Sequence, residues 1–494
     1  MAYSDKRSDE PRSSRLAYRS VLPAFLLILA FAAVVTVLLS RDLGRNDLVG
    51  GDEGYYGVMA RNILEDPSYI INPSLSPLGR PGDKPFLYPL ILSASLAMGG
   101  IGEVPLRMVS LVASVLTGLL IYLTACLLKD NRTGIYSALI YLSTPLIANT
   151  GRQVAAEPVL VTFSMAGVFL FLLACRRDRL LPSFIAGLFF GAAFLCKLWL
   201  ALIPAFGVVT GMTLYGLAGS RSEEWDYRTF PMLISLASGF LATGSMQLVL
   251  CAIFTPGNLG HWLDVYFGFS LISRATGEGF ASYWHRPWHF YLVTLARSLS
   301  LWLPLLCIGL SALVKSRRRS PSFMIFAAWA LPLIPMSILP VKSGGYILPF
   351  VPVLIIAAGV GLMTIINLDP ARWRTTLLVS TGIASLLVLS SQVYLPAAGR
   401  PVLHSPAIFL IQISWILAMI IATYFRSVFN IRAGIVILGL LFMTMAAGLY
   451  RDLEITKSVD HATGYRSIAE SAAPILSGID PATPCFISPE WPAI

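Results

Sequence analysis

The sequence predicts an all-α polytopic membrane protein, and three observations carry that expectation. The chain of 494 residues is 56% hydrophobic and only 13% charged, where a soluble domain carries about a quarter charged residues. Its mean hydropathy is +0.72. Long apolar runs recur along most of the chain, more than a single anchor would need.

The first run, VLPAFLLILAFAAVVTVLLS (21–40), stays uncharged for a full membrane thickness and follows a basic tail with Lys6, Arg7, Arg12, Arg15 and Arg19. A cleaved signal has a shorter apolar core and a small-residue cleavage site. The run is therefore expected to be a retained span, with residues 1–20 in the cytoplasm. Further spans are expected near 106–127, 134–149, 159–175, 181–196, 198–217, 230–253, 291–313, 322–340, 346–366, 375–395, 406–425 and 433–449, about thirteen in all. Residues 21–449 then form one membrane domain and 450–494 a short extracytoplasmic tail.

Charge agrees with this threading. Clusters such as CRRDR (175–179) and KSRRRS (315–320) fall on the cytoplasmic side. The net charge of +10 thus reflects topology and contact with anionic membrane lipid. No aromatic-interleaved basic patch points to nucleic acid. The six cysteines show no CxxC or Cys/His spacing and read as small packing residues.

Two long polar segments, 41–105 and 254–290, fall on the outer side and are rich in Gly, Pro, Tyr and Trp. Connections this long are commonly functional or disordered, and these carry too many aromatics for disorder. They are expected to fold back onto the membrane as a site, with amphipathic juxtamembrane helices in the first.

Five features on that face carry chemistry. In GGDEGYYGVMARNIL (50–64), Asp52 and Glu53 open a helix whose Tyr56, Met59, Ala60 and Ile63 share one face. Asp52 reads as an N-cap, where the helix end favours its ionised form, and an ionised carboxylate can accept a hydroxyl proton. NTGRQVAAEPVLV (149–161) brings Arg152 and Glu157 to the outer end of a span, and RPGDKPFLYP (80–89) supplies Asp83 and Lys84. A lysine there can hold a phosphate. SYWHRPWHFYL (282–292) sets His285, Arg286 and His289 among aromatics, and PVKSGGYILPFVP (340–352) places Lys342 and Tyr346 at the start of a span. Each alone has a structural explanation in capping, snorkelling or an aromatic belt. Together on one face they suggest a lipid phosphate held near carboxylates.

The order of these motifs resembles the GT-C glycosyltransferases, in the branch of protein O-mannosyltransferases and the lipid A aminoarabinose transferase (ArnT-like). The resemblance runs from about residue 20 to 450 and implies the GT-C fold. It also implies inverting transfer of a sugar from a polyprenyl-phosphate donor to a hydroxyl acceptor on a protein, glycolipid or cell-envelope glycan, at the extracytoplasmic face of the cell membrane. By resemblance, Asp52 matches the catalytic aspartate, Glu53 its acidic neighbour and Glu157 a second acidic residue. Lys84 matches the donor-phosphate lysine, with Asp83 before it, and Arg61, Lys342, Tyr346 and Arg286 fall among donor-phosphate candidates. Tyr55, Tyr56, Asp83, Arg152 and His285 would line the pocket.

The sequence departs from the family at two points. The usual DEARY reads DEGYY (52–56), which leaves Arg61 as the nearest cation to replace the missing arginine. YFGFSLISRATG (266–277) lacks the histidine that some relatives use toward a metal. The resemblance fixes no cofactor; a divalent metal stays open, with Asp83, His285 and His261 as candidate ligands. Three other readings also stay open. A transporter predicts ionisable residues near the midplane, where essentially only Arg297 stands. A non-catalytic scaffold predicts that Asp52 is dispensable, and an oligosaccharide transferase or ligase predicts a larger donor.

Overall fold

In the computed structural model the described residues run from 26 to 367, except for 27, 38, 42, 45–47, 49–51, 75–81, 219–224, 278–284, 300–301 and 316–319. The expected spans at 375–395, 406–425 and 433–449, the basic tail 1–20 and the tail 450–494 lie outside them.

Among the described residues the architecture is helical throughout, with one isolated antiparallel bridge between His285 and Val341. A first apolar helix, α1 (Ile28–Val37), precedes the amphipathic α2 (Asp52–Glu65). Then come α3 (Leu87–Gly99), α4 (Glu103–Leu128), α5 (Asn131–Leu142) and α6 (Pro145–Gly151). The expected span 134–149 is thus broken, because Pro145 cannot continue α5 and instead opens α6. Next are α7 (Ala156–Arg177), α8 (Leu180–Lys197) and α9 (Leu202–Leu217), followed by α10 (Thr229–Gly244) and α11 (Met246–Phe254), which meet at a bend of 41°. The outer connection contains α12 (Leu259–Leu263), a ten-residue π-helix (Asp264–Ser273) and the short α13 (Arg274–Thr276). The remaining helices are α14 (Phe290–Ser298), α15 (Leu303–Lys315), α16 (Pro321–Ala330), α17 (Leu333–Ile338) and α18 (Val351–Asn367), the last entered through a 3-10 turn at Gly344–Phe350.

Among the described residues, five helical stretches are long and apolar enough to cross a membrane: Glu103–Leu128, Ala156–Arg177, Leu180–Leu217, Pro321–Ile338 and Gly344–Asn367, or six with the bent pair counted as one span. The chain is a multi-pass membrane protein. Helix α7 is the central element, packed on α4 and α8, with α8 in turn against α10. That last approach is close because glycines face backbone across it. A Cβ at Gly187 would strike the Leu236 carbonyl, and one at Gly239 the Phe184 carbonyl. Small residues at such crossings let helices gain packing where lipid offers no hydrophobic drive. This packing holds α8, whose last residue is Lys197, rigidly beside α7.

The first polar segment is stapled to the second. Gln247 accepts a hydrogen bond from the Phe86 amide at 2.9 Å and donates to Ile71 O at 2.6 Å. Asn72 donates to Thr255 Oγ1 at 2.9 Å, and Trp262 Nε1 donates to Asn72 Oδ1 at 2.8 Å. Gln247 of α11 thus satisfies backbone groups of the first segment, while Asn72, Thr255 and Trp262 join the two segments side chain to side chain.

Candidate active site

Helix α2 buries the face its periodicity predicts: Glu53, Tyr56, Gly57, Met59, Ala60 and Ile63. Tyr56 is fully buried and meets Tyr88 of α3 edge-on, ring centroids 4.7 Å apart. Asp52 stands in the first turn of the helix. Its carboxylate is 57% exposed and lies 3.5 Å from Lys197 Nζ.

Glu53 points inward, and its role is corrected accordingly. Arg107 Nη2 reaches Glu53 Oε2 at 3.2 Å, and Arg107 Nε donates to Oε1 at 3.3 Å. The Val154 amide donates to the same Oε1 at 2.7 Å. Buried and held by these donors, the carboxylate joins α2, α4 and the entry to α7, and is not presented to a reacting group.

Glu157 stands in the first turn of α7, buried, with Oε1 2.6 Å from Lys197 Nζ. Lys197 therefore faces both Asp52 and Glu157. It is a site residue that the linear order presents only as a turn between two apolar runs. Its one signal is a single charge in FLCKLWL. Right after it the backbone of Leu198 adopts φ 50° and ψ −132°, a conformation that side chains disfavour. That kink ends α8 with the ammonium directed at the carboxylates.

Asp83 and Lys84 sit beside this cluster. Lys84 Nζ pairs with Asp83 Oδ2 at 3.0 Å, and Tyr55 donates its hydroxyl to Asp83 Oδ1 at 2.7 Å. The Tyr55 ring also lies under Lys84, 5.4 Å from centroid to Nζ. Burial alone would raise the Asp83 carboxyl, but Lys84 and the Tyr55 hydroxyl outweigh it and hold it below the ordinary aspartate value. Burial, reinforced by the Asp83 charge, pushes the Tyr55 phenol up and keeps it a donor.

A cavity of about 320 Å³ opens next to these groups. Its charged lining is Asp83, Lys84, Lys197 and Arg274, and most of the remainder is apolar, including Trp199, Phe269, Met336 and Leu339. Arg274 leaves the end of the π-helix with its guanidinium 5.3 Å from the Tyr346 ring centroid and 5.6 Å from that of Phe269. Three cations in the lining of a largely apolar cavity suit a phosphate attached to a hydrocarbon chain. Arg274, like Lys197, is not among the candidates that the sequence motifs single out, since its segment attracts notice for the histidine it lacks.

Several expected members lie elsewhere. Arg61 is on the exposed face of α2 and pairs with Glu65 at 2.6 Å, one helical turn on. Lys342 is buried, donating to Arg286 O at 2.9 Å and to Leu339 O, so its ammonium closes a backbone junction outside the cavity lining. Arg286 is exposed and donates to the His285 carbonyl. His285 Nε2 lies 3.0 Å from Gly277 O, where it ties down the loop. Arg152 follows the end of α6 and is not among the cavity-lining residues. Tyr346 does line the cavity. Among the described residues no three His, Cys, Asp or Glu side chains converge as metal ligands would. Of the candidates, Asp83 is occupied by Tyr55 and Lys84, and His261 Nε2 lies 3.1 Å from Gly82 O.

In fold and in sequence the chain is similar to membrane-bound sugar transferases that carry lipid phosphates in their names. The dolichyl-phosphate-mannose-protein mannosyltransferase family matches residues 83–241. The chain is 28% identical over 393 residues to the undecaprenyl phosphate-alpha-4-amino-4-deoxy-L-arabinose arabinosyl transferase 2 of Proteus mirabilis, covering 76% of this chain and 68% of that one. It is 29% identical over 377 residues to the corresponding transferase of Pseudomonas aeruginosa, covering 75% and 65%. Its fold is similar to the crystal structure of ArnT from Cupriavidus metallidurans bound to undecaprenyl phosphate, with a TM-score of 0.64 at 18% identity over 93% of this chain and 81% of that one.

Proposed function

We propose that this protein transfers a sugar from a polyprenyl-phosphate donor to a hydroxyl acceptor, with inversion at the anomeric carbon. The observation that carries the reading is the largely apolar cavity whose lining includes Lys84, Lys197 and Arg274, with Asp52 3.5 Å from Lys197. The donor phosphate sits against these cations and its prenyl chain follows the groove past Trp199 and Leu339. The names of the relatives make an undecaprenyl-phosphate-linked aminoarabinose the first donor to test. The acceptor is a glycolipid, protein or cell-envelope glycan.

In the proposed step the acceptor oxygen attacks the anomeric carbon while its proton passes to the Asp52 carboxylate. The bond from that carbon to the phosphate oxygen breaks, and its electron pair leaves with the lipid phosphate. The charge gathering on that phosphate is stabilised by cations already in place. Glu157 anchors Lys197, Tyr55 and Asp83 orient Lys84, and Tyr346 steadies Arg274. Residues 21–449 serve as the catalytic membrane domain with 450–494 as its tail. The N-terminus lies in the cytoplasm and the site faces outward, an orientation supported by the basic clusters at 175–179 and 315–320.

The experiment is to incubate the purified protein in lipid nanodiscs with a panel of undecaprenyl-phosphate sugars and to measure release of undecaprenyl phosphate. One donor should be consumed, and Asp52→Asn should lower the rate at least about 100-fold. Consumption of none overturns the class of reaction. Near-normal turnover by a folded Asp52→Asn variant overturns the base.

A further inference from the structure

Lys197 stands where two demands meet. It lines the cavity with Lys84 and Arg274, and it also faces two carboxylates on different helices. The two contacts are unequal. The bond to Glu157 is short, 2.6 Å, and that carboxylate is 10% exposed. The contact to Asp52 is 3.5 Å, beyond the usual length of a charge-assisted hydrogen bond, and Asp52 is 57% exposed. The other charge acting on the ammonium is Arg274, which also feels Asp83 and Asp52, while Lys84 shares the cavity lining and is paired to Asp83. An ammonium has three protons to share. A phosphate entering beside it would displace the longer, solvent-exposed contact and leave the buried one intact.

We propose that Asp52 and the donor phosphate compete for the Lys197 ammonium, so that donor binding frees the Asp52 carboxylate to accept the acceptor's proton. Lys197, a donor-contacting residue, then also makes the base available only where a donor is seated, while Glu157 retains it in both arrangements. The inference rests on the donor reading given above. Because coupling between two sites is reciprocal, it has a signature independent of turnover. Neutralising Asp52 must tighten the binding of a lipid phosphate, and must do so through Lys197.

The test is a double-mutant cycle read as undecaprenyl phosphate affinity, followed for instance by quenching of tryptophan fluorescence, since Trp199 lines the cavity. Asp52→Asn should bind about two- to fivefold more tightly than the parent protein. The same substitution should change nothing when Lys197→Met and Glu157→Gln are both present, a pair chosen so that no buried carboxylate is left alone. Lys197→Arg, which keeps a cation in place, should preserve the gain, and Lys197→Gln with Glu157→Gln provides the uncharged arm of the cycle if the first pair fails to fold. No tightening in Asp52→Asn overturns the proposal. Equal tightening without the Lys197 charge also overturns it, since simple repulsion between Asp52 and phosphate would then suffice. Failure of the parent protein to bind undecaprenyl phosphate removes the donor reading itself. Intact coupling together with normal turnover of Asp52→Asn removes only the base assignment and leaves the exchange standing.

Discussion

The Arg107 guanidinium grips both oxygens of the Glu53 carboxylate, at 3.2 and 3.3 Å, deep between α2 and α4. The Val154 amide donates to the same carboxylate, so one side chain pins α2 to two further segments. Removing one member of a buried pair strands the other charge, at a cost of about 3–5 kcal/mol. Arg107→Met should therefore lower the thermal midpoint sharply, and Glu53→Gln combined with Arg107→Met should recover part of the loss. Thermal unfolding in detergent distinguishes the two. An unchanged midpoint in Arg107→Met would show that the pair holds nothing.

Gly345 packs directly on Glu157: a Cβ built there would lie 2.5 Å from Glu157 Oε1, the atom bonded to Lys197. Gly345→Ala should push that carboxylate away and loosen Lys197. Transfer should fall about tenfold or more with little loss of stability, and adding Glu157→Asp, one methylene shorter, to the Gly345→Ala variant should restore part of it. The reaction rates of the single and double variants decide. If Gly345→Ala is silent, Glu157 has room to yield and the contact does not position it.

The cations can be separated by donor affinity. Arg274→Ala should weaken undecaprenyl phosphate binding by about 1.5–3 kcal/mol, the scale of a charge-assisted hydrogen bond. Arg61→Ala and Arg286→Ala should leave it within a factor of two or so, because an exposed pair with Glu65 and an exposed loop residue contribute little. Binding measured on the three variants tests this. Loss of affinity in Arg61→Ala would mean that α2 turns its outer face to the donor.

Asp83 supplies a pH dependence. Its folded carboxyl lies below the ordinary value because Lys84 and Tyr55 outweigh its burial. A depressed value means that the stabilisation is fully present above the unfolded aspartate value of about 3.9 and is lost as pH falls through the lower folded one. The difference in thermal midpoint between the parent and Asp83→Asn should be widest near neutrality and should close below about pH 4. Tyr55→Phe, which removes one of the two partners, should narrow it throughout. A gap that stays constant with pH would remove Asp83 from the ion pair.

Much of this was written in the chain. The long apolar runs dictate membrane-spanning helices because only internally hydrogen-bonded segments tolerate lipid, and the spacing of Tyr56, Met59, Ala60 and Ile63 dictates which face of α2 is buried. Asp52, Lys84, Glu157 and Tyr346 could be named from motifs because each lies in a polar stretch between apolar ones, where an unneeded charge is conspicuous. What the linear order could not decide was direction. Arg61 and Lys342 occupy equally conspicuous positions, yet helix phase turns one to solvent and a backbone junction captures the other. Lys197 and Arg274 look like a turn lysine and a loop arginine until α8, held close to α10 by paired glycines, and the π-helix bring them to the same cavity. Sequence determined the kinds of groups on which the site can draw. Only tertiary packing decided which cations meet the carboxylates, because charge interactions act over a few ångströms and those distances are set by helices far apart in the chain.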